Sequence, residues 1–108
     1  MITAINPANE QALASYALHT EEQVQSALTR ATQAQKAWAQ QPVAARSAHL
    51  LKIAAVLRHN RDAYAQLITQ EMGKPITEAE AEIEKSAVTC EFYAQAAPQF
   101  LADSPVAT

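Results

Sequence analysis

Twenty-five alanines against a single glycine leave this 108-residue chain few architectures other than helices. Alanine has the highest intrinsic helix propensity, and one glycine leaves almost no position where the backbone can turn through left-handed φ without strain. The same composition limits the interior. Leu, Ile, Val and Phe together number only 21, so large core-filling side chains are scarce and the core must be thin.

Charge and hydropathy then remove whole classes. A formal net charge of −3 supplies no basic surface for nucleic acid or an anionic membrane. No apolar run approaches the roughly 20 residues that a bilayer span needs, and Met1-Ile2-Thr3 opens neither a signal peptide nor a lipidation motif. One cysteine cannot form an internal disulfide, which agrees with a reducing compartment. The expectation is one soluble, cytoplasmic domain at most. Disorder is rejected because the apolar residues recur at helical spacing.

The first 19 residues read differently from the rest, as a β-hairpin over 1–19. Ile2-Thr3-Ala4-Ile5 forms a short strand, Asn6-Pro7-Ala8-Asn9 a turn, and Leu13 to Leu18 a second strand. Asn9 suits the turn through its tolerance of positive φ. An isolated hairpin is marginal in water, so this one needs a surface to lie against.

From residue 20 the period changes from two to 3.6, giving a helical portion over 20–108. Thr20-Glu21-Glu22-Gln23 is a capping box. The helix it starts carries Val24, Ala27, Leu28, Ala31 and Trp38 on one stripe and ends before Gln40-Gln41-Pro42. A second helix begins near Pro42 and buries Leu50, Ile53, Ala54 and Leu57 before Arg58-His59-Asn60. Asn60 caps a third, with Tyr64, Leu67, Ile68 and Met72, which stops at Gly73 with Pro75 two residues on. The fourth opens with a second capping box, Thr77-Glu78-Ala79-Glu80. It places Ile83, Ala87, Cys90 and Ala94 on one face and ends at Pro98.

Candidate chemistry is sparse. Cys90 is the one possible thiol nucleophile, but its neighbour is Glu91 in mid-helix, where nothing lowers a thiol pKa, so it reads as a small core residue. His19, His49 and His59 have no spacing that puts two imidazoles on one helix face for a metal, and read as surface or cap-proximal groups. Steps of two put Glu78 and Glu82 on one side of the fourth helix and Glu80 and Glu84 nearly opposite. No Glu-x-x-His pair completes a di-metal site, so these carboxylates read as a largely solvated face. One glycine cannot build a dinucleotide fingerprint, a phosphate loop or a nucleophile elbow.

Taken in order, Ile5-Asn6-Pro7-Ala8-Asn9-Glu10, Trp38 closing an Ala-rich helix, Arg46 with Leu50, and Glu71-Met72-Gly73-Lys74-Pro75 with Glu78-Ala79 and Glu82 resemble the amino-terminal part of an aldehyde dehydrogenase. The resemblance covers nearly the whole chain. Its most specific part is the E-x-G-K-P-x-x-E-A-x-x-E string. The stretch from Lys85-Ser86-Ala87 to Cys90-Glu91-Phe92-Tyr93-Ala94 is similar to the succinate-semialdehyde dehydrogenase branch. Asn9 stands where the family has glycine, a change its tolerance of left-handed φ makes harmless.

The resemblance implies a helical N-terminal portion of an α/β enzyme with a Rossmann-like nucleotide-binding domain. The activity implied is oxidation of an aldehyde, succinic semialdehyde in this branch, to the carboxylic acid through a cysteine thiohemiacetal, with NAD or NADP taking the hydride. In the family the dinucleotide motif, oxyanion-hole asparagine, general-base glutamate and nucleophilic cysteine follow the region matched by Thr108. Cys90 lacks the Gly-Gln that precedes that nucleophile. This chain therefore reads as one incomplete domain, inactive alone, with no catalytic, cofactor or metal residues of its own. Its implied partners are the remainder of a homo-oligomeric dehydrogenase and a small aldehyde. The implied substrate-tunnel positions are Ala81 and, one turn on, Lys85, whose cation would attract the distal carboxylate of a semialdehyde. The ordinary alternative for Lys85 is a surface pair with Glu82. The alternative for the whole chain is a free-standing four-helix interaction module without catalytic activity.

Overall fold

The computed structural model describes all 108 residues, Met1–Thr108, as a hairpin followed by four helices. Strands β1 (Ile2–Ile5) and β2 (Ala12–Tyr16) pair antiparallel, with Ile2 opposite Tyr16 and Ala4 opposite Ala14. The register slips between Ala4 and Ile5, so β2 is a bulged strand that stops two residues short of Leu18. Thr3 and Ser15 exchange a cross-strand hydroxyl hydrogen bond of 3.0 Å.

The hairpin turn corrects the sequence reading at one residue. Asn6 and Asn9 both act as side-chain acceptors, from the Ala8 amide at 2.9 Å and the Gln11 amide at 3.0 Å. The positive φ falls on Glu10, at 60°, and not on Asn9. The Glu10 amide donates to the Asn6 carbonyl at 2.8 Å, and the Asn6 amide to the Gln11 carbonyl at 2.9 Å. Closed from both sides, the loop holds a side-chain-bearing residue in the left-handed region at a cost of about 1 to 2 kcal/mol.

Helix α1 (Glu21–Ala39) has the capping box the sequence predicts. The Gln23 amide donates to the Thr20 hydroxyl at 3.2 Å, and the Thr20 amide to Gln23 Oε1 at 2.8 Å. Yet no residue of α1 is buried, and Val24, Leu28 and Trp38 all remain exposed. Its stripe faces solvent. Near its C-terminal end the Trp38 ring lies 5.0 Å from that of His49.

Helices α2 (Val43–His59), α3 (Arg61–Met72) and α4 (Ile76–Phe100) form the packed part of the molecule, with α4 lying against both of the others. Its interior is alanine: Ala54, Ala65, Ala79 and Ala87 are essentially inaccessible, joined by Ile83, Ala94 and Ser47. Of the four residues expected inside α2, Ala54 is buried, Leu50 and Leu57 are half-buried, and Ile53 is exposed. Small residues win the seam because they let helix backbones approach closely, which leaves the longer side chains at its margins.

Three helix boundaries differ from the sequence reading. Asn60 does not cap α3 with its side chain; Nδ2 donates back to the Val56 carbonyl at 2.9 Å and so seals the end of α2. The Thr77 box is not formed either. Helix α4 starts earlier, behind Pro75, whose carbonyl accepts the Glu78 and Ala79 amides at 3.0 Å, so Thr77 is already helical. Pro98 lies inside α4, which continues to Phe100, and its missing amide cannot donate to the Ala94 carbonyl one turn back. Gly73 does end α3, at φ 72°, with its amide donating to the Thr69 carbonyl at 2.9 Å.

The shape follows from that uneven packing. The radius of gyration is 19.1 Å, against about 13 Å for a compact domain of this length. The accessible surface is 8544 Å², where a compact 11.7 kDa chain would expose about 5,900 Å². Only 7 of 108 residues are buried. No helix is long and apolar enough to cross a membrane.

Candidate functional site

The G-K-P turn fixes where α4 begins and which way its faces point. Gly73 is required there twice. Its left-handed φ suits no other residue as well, and a Cβ would come within 3.0 Å of the Pro7 ring, which seats the hairpin turn on the end of α3. Lys74 then bonds Glu82 across the first turns of α4. Glu82, the partner in the surface-pair alternative for Lys85, is bonded to Lys74 in this structure.

On α4, Ala79, Ile83 and Ala87 face the core. Helical geometry puts Ala81 and Lys85 on the opposite side, one turn apart, and Val88 and Phe92 continue that face. All four are exposed, Val88 at 50% and Phe92 at 53%. No carboxylate lies within salt-bridge reach of Lys85. The face thus carries exposed Val88 and Phe92 beside the unpaired Lys85, with the exposed carboxylates Glu78 and Glu82 flanking it on one side.

Glu78, Glu82 and Glu84 are exposed, as the spacing suggests, but Glu84 is also paired. Arg58, on the last turn of α2, donates from Nε to both Glu84 oxygens at 3.1 Å, from Nη2 to Glu84 Oε1 at 2.9 Å and Glu91 Oε2 at 3.0 Å, and from Nη1 to Glu91 Oε1. The guanidinium holds the Glu91 carboxyl below the usual carboxylate range, and the two carboxylates push the Arg58 pKa up. Sequence reasoning missed this fork. The available signal was Glu84 and Glu91 seven residues apart on one helix face, but nothing local names their partner 26 and 33 residues away.

A concavity, absent from the sequence reading, lies where the end of α1 meets α2 and the end of α4. It measures about 280 Å³ and is walled mainly by Trp38, Val43, Leu50, Ile53, Ala97 and Leu101. Arg46, at its edge, donates from Nε to the Gln41 carbonyl at 3.2 Å and so ties down the α1–α2 turn.

Neither place holds reactive groups. Cys90 is half-buried beside the core seam, and no three His, Cys, Asp or Glu side chains gather in a metal-binding cluster. A dinucleotide needs a glycine-rich turn opening a helix N-terminus. The only glycine here closes the C-terminus of α3 under Pro7 and opens no helix N-terminus.

Comparison with known proteins places the chain. Residues 1–107 match the aldehyde dehydrogenase family, and the chain belongs to it. It is 39% identical over 107 residues to a Synechocystis protein named "Probable succinate-semialdehyde dehydrogenase [NADP(+)]", covering 99% of this chain and 24% of that one. It is 35% identical over 102 residues to a succinate semialdehyde dehydrogenase of Escherichia coli named for NAD(P)+, covering 94% of this chain and 22% of the relative. The crystal structure of succinic semialdehyde dehydrogenase from Streptococcus pyogenes, in complex with NADP+, superposes with a TM-score of 0.92 at 33% identity, over 98% of this chain and 24% of that enzyme. The chain therefore spans about a quarter of the length of these relatives and has the fold of that quarter.

Proposed function

We propose that this chain is the N-terminal quarter of an NAD(P)-dependent dehydrogenase that oxidises succinic semialdehyde to the acid, and that it is inactive alone. The parent is read as a cytoplasmic homo-oligomer. The observation that carries the reading is the excess exposed surface. An accessible area of 8544 Å², against about 5,900 Å² for a compact chain, leaves on the order of 2,600 Å² that a monomer of this size would ordinarily bury. That surface includes α1, the outer face of α4 and the Trp38 concavity. The curated relatives at about a quarter coverage support the same view, since a longer chain has the material to cover it.

In this reading residues 1–19 and 20–108 are parts of one incomplete domain, and the thiohemiacetal cysteine and the nucleotide site belong to the remainder. What this chain contributes is a wall. Ala81 leaves room beside α4 for the aliphatic part of the substrate, and Lys85 attracts its distal carboxylate. The unpaired state of Lys85 among exposed apolar side chains supports that role.

The test grafts residues 1–108 in place of the matching segment of the Synechocystis protein. The isolated chain is expected to reduce neither nicotinamide cofactor with succinic semialdehyde, whereas the graft turns over. Lys85→Met in the graft is expected to lower kcat/KM for succinic semialdehyde about tenfold relative to a neutral aldehyde of equal length, the size of one charge-assisted contact. An unchanged preference removes Lys85 from the substrate site. A sharply cooperative, monomeric melt of the isolated chain would replace the fragment reading with the free-standing module.

A further inference from the structure

The packing of α2 on α4 leaves rotation weakly specified. Ala54 of α2 and Ala87 and Ala94 of α4 are buried, and no large side chain is fully enclosed anywhere in the molecule. Methyl groups permit a close approach, but they form low ridges, so such a seam distinguishes poorly between neighbouring rotational settings of one helix on another. Arg58 supplies the missing constraint. It grips Glu84 and Glu91, which lie on one face of α4 about 10 Å apart along its axis. A planar guanidinium with donors fixed in a fork can satisfy both carboxylates only within a narrow range of helix settings.

We propose that Arg58 is a positioning residue that sets the rotation of α4 about its own axis and thereby aims the Ala81–Lys85 face. Glu84 precedes Lys85 directly, so the arginine grips α4 beside the turn that presents the cation. The positional role stands on the contacts alone. Its consequence for substrate choice rests on the proposed function above.

Cys90 is a built-in reporter, being the only thiol, half-buried, and beside the seam on α4. In the 108-residue chain, Arg58→Met is expected to change the rate of Cys90 labelling by a small maleimide several-fold while the helical circular dichroism is retained. Arg58→Lys keeps the charge but loses the fork and is expected to fall between. Should Arg58→Met lose helix, Arg58→Lys and Glu91→Gln give the readout. Unchanged labelling at retained helicity overturns the positioning role.

Substrate choice is measured separately, in the graft. Arg58→Met is expected to lower the kcat/KM ratio of succinic semialdehyde over a neutral aldehyde of equal length, with kcat for the neutral aldehyde preserved and Arg58→Lys partly restoring the ratio. A merely structural defect lowers both substrates alike. Altered labelling with an unchanged ratio overturns the substrate reading of the Lys85 face and leaves the positioning role standing.

Discussion

Helices α1 and α4 are built from similar material and end in opposite situations. Both are long, Ala-rich and amphipathic, yet α1 buries no residue while α4 buries Ala79, Ile83, Ala87 and Ala94. The difference is what each has to lie against. Helix α4 is covered by α2 and α3, whose seam residues are equally small, and Arg58 and Lys74 pin its charged flanks. Helix α1 keeps its shape through local chemistry, the Thr20 capping box and an i, i+4 hydrogen bond from Gln25 to Glu21 of 2.9 Å. An amphipathic stripe in a sequence therefore states that a face is to be covered, without stating by what.

The sharpest way to break that contrast is to enlarge one alanine in each helix. Ala79→Leu forces a bulky side chain into a fully closed seam and is expected to cost about 3 kcal/mol in urea unfolding followed by circular dichroism. Ala31→Leu on α1 should change the same midpoint by less than about 0.5 kcal/mol, as exposed positions do. Equal losses would mean that α1 is packed in solution.

Next in size is Gly73→Ala, which imposes a left-handed φ on a residue with a Cβ and drives that Cβ against Pro7. A loss of about 2 kcal/mol is expected, with the hairpin amides exchanging faster than those of α2. A gain is expected at Thr69, whose hydroxyl is buried without a hydrogen-bond partner. Thr69→Val removes that orphan at constant shape and should stabilise the packed half by about 1 kcal/mol, read as a raised urea midpoint.

The smallest effect is on pH. The Glu91 carboxyl titrates below its ordinary value because Arg58 favours the charged form. A carboxyl with a depressed folded-state pKa contributes stability that is present above its unfolded pKa and is lost as pH falls through the folded one. Wild type should therefore lose part of its stability on acidification below about pH 4.5, measured by thermal melts, and Glu91→Gln should lose less over the same range. Parallel curves for the two proteins would remove the fork from the account of α4.

Features decided by neighbours in sequence are legible in the residues themselves. The Thr20 box, the Gly73 stop, the hairpin and the number of helices each rest on a few adjacent residues. Ala81 and Lys85 are named by the family resemblance, and the helical period of α4 then places them away from its buried residues. Where two local signals compete, the sequence does not choose between them. Thr77 offers a cap, but Pro75, with φ already near the helical value, starts α4 first; Asn60 can serve either of two helix ends and serves α2. Glu10 takes the left-handed position because the two asparagine turns beside it fix the loop, a cooperative outcome that no single-residue preference contains. The Arg58 fork and the Trp38 concavity join residues from separate helices and leave no local trace.

The seat of Pro7 against Gly73 also orders events in time. It joins the two ends of a span of roughly 66 residues that contains β2, α1, α2 and α3, a closure that is entropically unfavourable until the intervening helices have shortened the path. Closure entropy therefore predicts that the hairpin docks last, while α2, α3 and α4 assemble through nearer contacts. Because closure entropy grows only logarithmically with length, residues inserted at the exposed α1–α2 turn would scarcely slow that final step. A residue that blocks the Gly73 seat would instead leave the strands tethered and searching, however sound the helices behind them.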